Sequence, residues 1–350
     1  MTGQLLEPEL YLLSPPERAA IRDFLETREL PDPHGHGSSF DAFCRSVAPL
    51  VKVLPEGLIE QLAELRRSGG CRGVLLIRGM PIAADLGPTP PTFVTPDDDP
   101  GSLLGAACLV GTTMSLGDVF AFSTQHGGNL VQNIVPVKAH RTSQTGLGSA
   151  VFLEWHVEDA FSDLRPDFVA LLCLRGDSNA KTCFASVRDL SLSATTHSIL
   201  FEERFRIRVD AAHDGLAVGK DEPVAVLTGD VLDPLIRFDP LFTEPAAPDD
   251  ADAAYALEEL AAALSDARHE VILEPGDLLI LDNFRVLHAR TPYGPRFDGA
   301  DRWLQRVIIA SSFTRAAGAG RVLDAASPCD TGVRRRLASS VPPNSSLESA

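Results

Sequence analysis

The chain has 350 residues, more than one ordinary domain of about 100 to 200 residues needs and enough to bury a core without disulfide or structural metal. Its 31 basic and 48 acidic residues leave a formal charge of −17, which repels phosphate backbones and anionic lipid and argues against nucleic acid or membrane as partners. Hydrophobic content of 44% with 23% charged residues is that of a folded globular protein, and six cysteines without a C-x-x-C pair exclude a zinc ribbon. Reduced thiols suit the cytoplasm. The opening MTGQLLEPEL lacks the basic and apolar stretches of an export signal, and no apolar run reaches the roughly 18 residues of a membrane span, so a cytoplasmic protein is expected.

Residues 1–80 read as a helical layer. Ser14 before Pro15, Pro16 and Glu17 is an N-cap with proline in the first turn, and Ile21, Phe24 and Leu25 then recur at helical spacing. Leu58, Ile59, Leu62 and Leu65 share a face of a second helix over 56–68, with Gly69-Gly70 as its stop. The apolar run 73–77 reads as a buried strand. Six prolines within 81–100 exclude a regular element, so this segment is an irregular connection of the kind that forms lids and binding loops. Over 102–209 short apolar runs alternate with turns, at 119–122, 134–137, 151–155, 168–174 and 182–186, a density that predicts a sandwich or barrel. A helix is predicted over 252–269, with strands at 271–273, 278–281 and 302–311, and 325–350 reads as a frayed tail. There is no internal repeat and no linker. One domain over 1–350, with its β core over 101–320, is expected.

The chemistry concentrates around Trp155-His156-Val157-Glu158. Alternate residues of a strand share a face, so His156 and Glu158 point the same way, about 7 Å apart along the backbone. The third candidate ligand is His288, placed by the pattern just after the strand 278–281. Two histidines and a carboxylate on one face of an ion leave three adjacent positions open, as in non-haem Fe(II) oxygenases, for a chelating cosubstrate and dioxygen. A zinc hydrolase could use the same set with water as fourth ligand, and a non-catalytic binding module could carry it by accident. Fourteen residues after His288 stands Arg302, and Arg306 lies an even number further on, so both guanidinium groups share a face of the last strand. Arginine grips carboxylates in a bidentate fork, which suits the distal carboxylate of 2-oxoglutarate and has no use in the hydrolase.

Two segments, LEWHVEDAFSDLRPDFVALLCLRGD over 153–177 and LDNFRVLHARTPYGPRFDGADRWLQR over 281–306, together resemble the clavaminate synthase-like group of Fe(II)/2-oxoglutarate-dependent oxygenases. That group includes hydroxylases of free arginine and asparagine in peptide antibiotic biosynthesis, and the likeness in order and spacing covers roughly 100–320. The resemblance implies a mainly β fold with helical additions, a double-stranded β-helix (jelly-roll) core packed by N-terminal helices. It implies iron at His156, Glu158 and His288, the 2-oxoglutarate C5 carboxylate at Arg302 with Thr182 as hydroxyl partner, and Arg306 near the cosubstrate or the substrate carboxylate.

On the substrate side, Gln125 in STQHGG matches the position that holds the amino group, Asp239 matches the acid that meets the side chain, and Glu158 and Arg306 border the same space. Arginine hydroxylases carry a second aspartate two residues later, where this chain has Leu241, which points toward a smaller, neutral or less basic side chain. The stretch 144–149 is expected to line the pocket. The implied reaction is hydroxylation of an amino acid, free or carrier-bound, at its β carbon, with Fe(II), 2-oxoglutarate and O2; desaturation or oxidative cyclisation is the alternative. Halogenation is disfavoured, because related halogenases replace the carboxylate that corresponds to Glu158.

Overall fold

A computed structural model describes residues 8–33, 38–94, 100–122, 124–209, 213 and 222–312. The chain begins with strand β1 (Glu9–Leu12), helices α1 (Pro15–Glu26), α2 (Ser38–Val47) and α3 (Glu56–Ser68), and strand β2 (Val74–Arg78). The first helix starts where Ser14 predicts, with the Glu17 carboxylate accepting the Ser14 backbone N–H at 2.7 Å. The third ends on Gly69 at φ 75°, a left-handed conformation that glycine adopts without a Cβ penalty. Between them α2 is an addition to the predicted layer, and β1 is a further one: it pairs in parallel with β2 at a sheet edge. Residues 81–94 form no regular element, as their prolines require, and are pinned by Arg175, whose guanidinium donates to Gly87 O at 3.0 Å and Thr89 Oγ1 at 2.5 Å.

Helix α4 (Pro100–Thr113) corrects the prediction of strands alone beyond residue 102. Its residues Ala106 to Val110 are buried on every side, so the helix has no polar face and no period that a pattern search detects. It lies close against the sheet: Gln305 donates to Ser102 O at 2.9 Å, and a Cβ on Gly105 would stand 2.5 Å from Leu174 Cδ2.

The rest of the chain runs β3 (Asp118–Phe120), β4 (Gln132–Ile134), β5 (Leu153–His156), β6 (Phe168–Arg175), β7 (Lys181–Ser186), α5 (Ala194–Leu200), β8 (Phe205–Ile207), β9 (Leu227–Asp230), β10 (Asp233–Ile236) and β11 (Thr243–Pro245). It continues with α6 (Ala251–Asp266), β12 (His269–Ile272), β13 (Leu278–Asp282), β14 (Val286–Arg290) and β15 (Trp303–Ala310). His288 therefore sits inside a strand of its own, not after one. The expected tail over 325–350 lies outside the described residues.

The larger sheet has the order β1-β2-β13-β6-β15-β3, with β4 also on β15, and the smaller one the order β12-β7-β14-β5. These sheets face each other as a jelly roll without closing into a barrel. Strand alternation divides the residues among layers. Leu171, Leu279, Phe184 and Val286 pack between the sheets. Leu172, Ile280 and Val307 pack outward against Ile21, Leu62 and Leu109 of the helices, while Cys183 and Leu287 of the smaller sheet meet Leu260 of α6. No helix among the described residues is long and apolar enough to cross a membrane.

The turn Glu274-Pro275-Gly276-Asp277 ties three segments. The Gly276 N–H donates to Cys173 O at 2.9 Å, its carbonyl accepts from Gly79 and Met80, its φ is 89°, and an added Cβ would lie 2.7 Å from Met80 O. Gly276→Ala is expected to lower the unfolding free energy by at least about 1–2 kcal/mol in urea titration, because both strain and a backbone clash arise. Gly294→Ala, at an exposed glycine with nothing within 4 Å of its Cβ position, is expected to stay within about 0.5 kcal/mol of the parent.

Candidate active site

Strand β14 lies between β5 and β7, and its register sets His288 directly opposite His156. The two imidazole rings are 4.2 Å apart between centroids. Glu158 lies just past the end of β5, in a turn, and the Asn283 carboxamide fixes it there. Asn283 Oδ1 accepts the Glu158 N–H at 2.8 Å, and Asn283 Nδ2 donates to the carbonyls of Glu158 and Pro166 at 3.0 Å each. As a result one ligand atom from each of His156, Glu158 and His288 lies within 4.8 Å of the others, with His288 Nε2 3.5 Å from Glu158 Oε1.

The donor set fits a divalent transition metal. His156 Nδ1 donates to Glu154 O at 2.8 Å, which leaves Nε2 as the free lone pair. Burial, helped by the charge of His156, pushes His288 down to about 4, so the ring is neutral, the form that ligates. Burial works against the charge on Glu158, yet Arg306 and His288 outweigh it and hold the carboxyl below the ordinary carboxylate range. Arg306 Nη1 donates to Glu158 Oε1 at 2.5 Å, and its Nε and Nη2 donate to Gln132 Oε1 at 2.9 and 2.5 Å.

Two cavities meet at this triad. One, of about 60 Å³, is lined by Thr182, His288, Arg290, Arg302, Leu171 and Leu304. Arg302, 5% exposed, donates to Thr182 Oγ1 at 3.4 Å, and among the described residues no carboxylate pairs with it. A buried guanidinium without a counter-charge is a site for an anion. The other cavity, of about 80 Å³, is lined by Gln125, His126, Gln144, Thr145, Gly146, Glu154, Asp239, Leu241 and Phe242. His156, Glu158 and Arg306 border both. All the residues singled out from sequence are thus brought to one place, and 144–146 lines the wall as expected.

Sequence reasoning missed several members. Arg290 stands two residues after His288 on the same strand face, a spacing that could have revealed it, and donates to Gly148 O and Val151 O at 2.5 and 3.3 Å. Gln125 is braced by Asp159, whose Oδ1 accepts from its Nε2 at 3.1 Å, and by His213. Asn283 and Gln132 act only through tertiary contact, so no local pattern points to them. Glu154 is a carboxylate two residues before His156 that also faces the larger cavity.

A jelly roll with two histidines and a glutamate converging beside an unpaired arginine defines a non-haem metal oxygenase. The chain belongs to the taurine catabolism dioxygenase TauD, TfdA family, which it matches over residues 47–308. It is 34% identical over 288 residues to enduracididine beta-hydroxylase of Streptomyces hygroscopicus, covering 75% of this chain and 84% of that protein. It is 36% identical over 294 residues to clavaminate synthase 2 of Streptomyces clavuligerus, covering 81% and 86% of the two chains. The solved structure of the non-heme iron oxygenase OrfP in complex with Fe and alpha-ketoglutaric acid superposes with a TM-score of 0.80 at 32% identity, over 89% of this chain and 96% of that one. The protein is an Fe(II)- and 2-oxoglutarate-dependent oxygenase that consumes O2, which sets aside the zinc hydrolase and the non-catalytic module.

Asn283→Ala is expected to weaken Fe(II) binding about 10- to 100-fold by releasing the backbone of Glu158, as measured by titration of the metal-free protein against a coloured Fe(II) chelator.

Proposed function

We propose that the protein hydroxylates an amino acid at its β carbon, as a step in natural-product or peptide antibiotic biosynthesis. The observation that carries this reading is the pairing of two cavities across one triad, an unpaired Arg302 on one side and Gln125 with Asp239 on the other. In this reading His156, Glu158 and His288 hold Fe(II). When bound, the metal couples oxidation of 2-oxoglutarate to succinate and CO2 with transfer of one oxygen atom from O2 into a C–H bond.

The chain's own residues position the reactants. Arg302 and Thr182 hold the distal carboxylate of 2-oxoglutarate, and Arg306 faces either the cosubstrate or the substrate carboxylate while keeping Glu158 ionised. Gln125 Oε1, buried and without a hydrogen-bond partner among the described residues, accepts from the substrate amino group, and Asp239 meets its side chain. Leu171, Leu304 and Leu153 exclude water around the metal. A reading at the β carbon draws on the likeness to enduracididine beta-hydroxylase, with desaturation or oxidative cyclisation as the second reading. Residues 1–350 are proposed to work as one oxygenase domain, because helices α1 to α4 share a continuous core with the larger sheet. Cys71, Cys108, Cys173 and Cys183, which form no disulfide among the described residues, suit a cytoplasmic setting.

The test is a panel of amino acids, as free acids and as carrier-mimicking thioesters, with Fe(II), ascorbate and 2-oxoglutarate. Hydroxylation gives succinate in step with a product about 16 mass units heavier, and desaturation one about 2 units lighter. Arg302→Ala is expected to raise the KM for 2-oxoglutarate about tenfold or more, and His156→Ala to abolish succinate formation. Amino acids that leave succinate formation unchanged in every form would overturn the reading.

A further inference from the structure

The hydroxylase reading leaves one carboxylate of the larger cavity, that of Glu154, without a role. Its carboxylates are Glu158, Glu154 and Asp239, and its only arginine, Arg306, is bound to Glu158. His126, which also lines it, is neutral, since burial and the nearby Arg306 push it down to about 3. Glu154 and Asp239 therefore face the same space without a cation.

Both are held in place by their backbones. The Glu154 N–H donates to Gln144 Oε1 at 3.1 Å and its carbonyl accepts from His156, while its carboxylate takes a hydrogen bond from the Trp155 backbone and has no ion pair among the described residues. Asp239 closes a turn in which its Oδ1 accepts the Leu241 N–H at 2.9 Å and its backbone carbonyl accepts the Thr243 N–H at 2.8 Å. Strand parity directs Glu154 to the same face as His156. Leu153, Leu241 and Phe242 supply apolar walls, which suit a methylene stem and strengthen electrostatic attraction at its tip.

An α-amino acid brings one carboxylate and one ammonium. Arg306 stands ready for the first, and the unpartnered Oε1 of Gln125, a residue 4% exposed, for the second. Two carboxylates then remain for the side chain. A neutral carboxamide would leave the two like charges facing each other across the cavity, whereas a terminal cation neutralises them.

We propose that Glu154 and Asp239 together select a substrate whose side chain ends in an ammonium or guanidinium group, with Glu154 supplying the second carboxylate that position 241 lacks. This rests on the hydroxylase reading. It departs from the expectation of a smaller, neutral or less basic side chain drawn from Leu241, because the second acid comes from β5, across the cavity from the turn that carries Asp239.

The wild-type enzyme is assayed for substrate-dependent succinate formation with lysine, ornithine and arginine against their neutral counterparts norleucine, citrulline and asparagine, each as free acid and thioester. The cationic members are expected to exceed the neutral ones in kcat/KM by roughly tenfold to a hundredfold. Glu154→Gln and Asp239→Asn are each expected to shrink that preference by about tenfold through the KM for the amino acid, with the KM for 2-oxoglutarate unmoved. A neutral member that couples better than all three cationic ones would overturn the proposal while leaving the hydroxylase reading intact. So would a preference unchanged in both variants. Silence from the whole panel would overturn the hydroxylase reading, and the specificity with it.

Discussion

The buried ion pair between Glu158 and Arg306 is the interaction on which the rest of the structure turns. Glu158 is 5% exposed, and an ion taken that far from water costs several kcal/mol unless it is paired and hydrogen-bonded. Two of its partners belong to the larger sheet, Arg306 on β15, itself held by Gln132 on β4, and Asn283 directly after β13, while His288 meets it from the smaller one. The two histidines belong to the smaller sheet, on β5 and β14. The candidate triad is therefore carried by the smaller sheet and braced from the larger one, so its geometry depends on their spacing. That spacing is set by Leu171, Leu279, Phe184 and Val286 between them. Packing and chemistry are in this sense one problem.

The same pair divides the interior electrically. On one side of it stand Arg302 and Arg290 with no carboxylate beyond Glu158, and on the other stand Glu154 and Asp239 with no cation beyond Arg306. The two cavities beside the candidate triad thus differ in the charge of their linings. A net charge of −17 describes none of this, because it averages over a surface that the reactants leave behind.

Much of the frame was legible in the sequence where a period or a cap marks it. The helices α1 and α3 and the strands β6, β7, β13 and β15 announce themselves through spacing, glycine and proline. Helix α4 did not, because a helix apolar on all faces carries no period. The strand β14 was hidden for a different reason: Val286 to Arg290 is too short and too mixed in character to stand out. Within the site, H-x-E and the later histidine and arginines were visible as spacing. Asn283, Gln132 and Asp159 were not, since they act on partners 125, 174 and 34 residues away in the chain.

Glu154 and His156 owe their common direction to the alternation of a single four-residue strand. Loss or gain of one residue there would turn both side chains outward in a single step. The length of β5 is therefore as constrained as the identity of His156. Asp239, by contrast, lies in a turn after β10 that is not paired with β5, so the cavity wall it forms is set independently of that register.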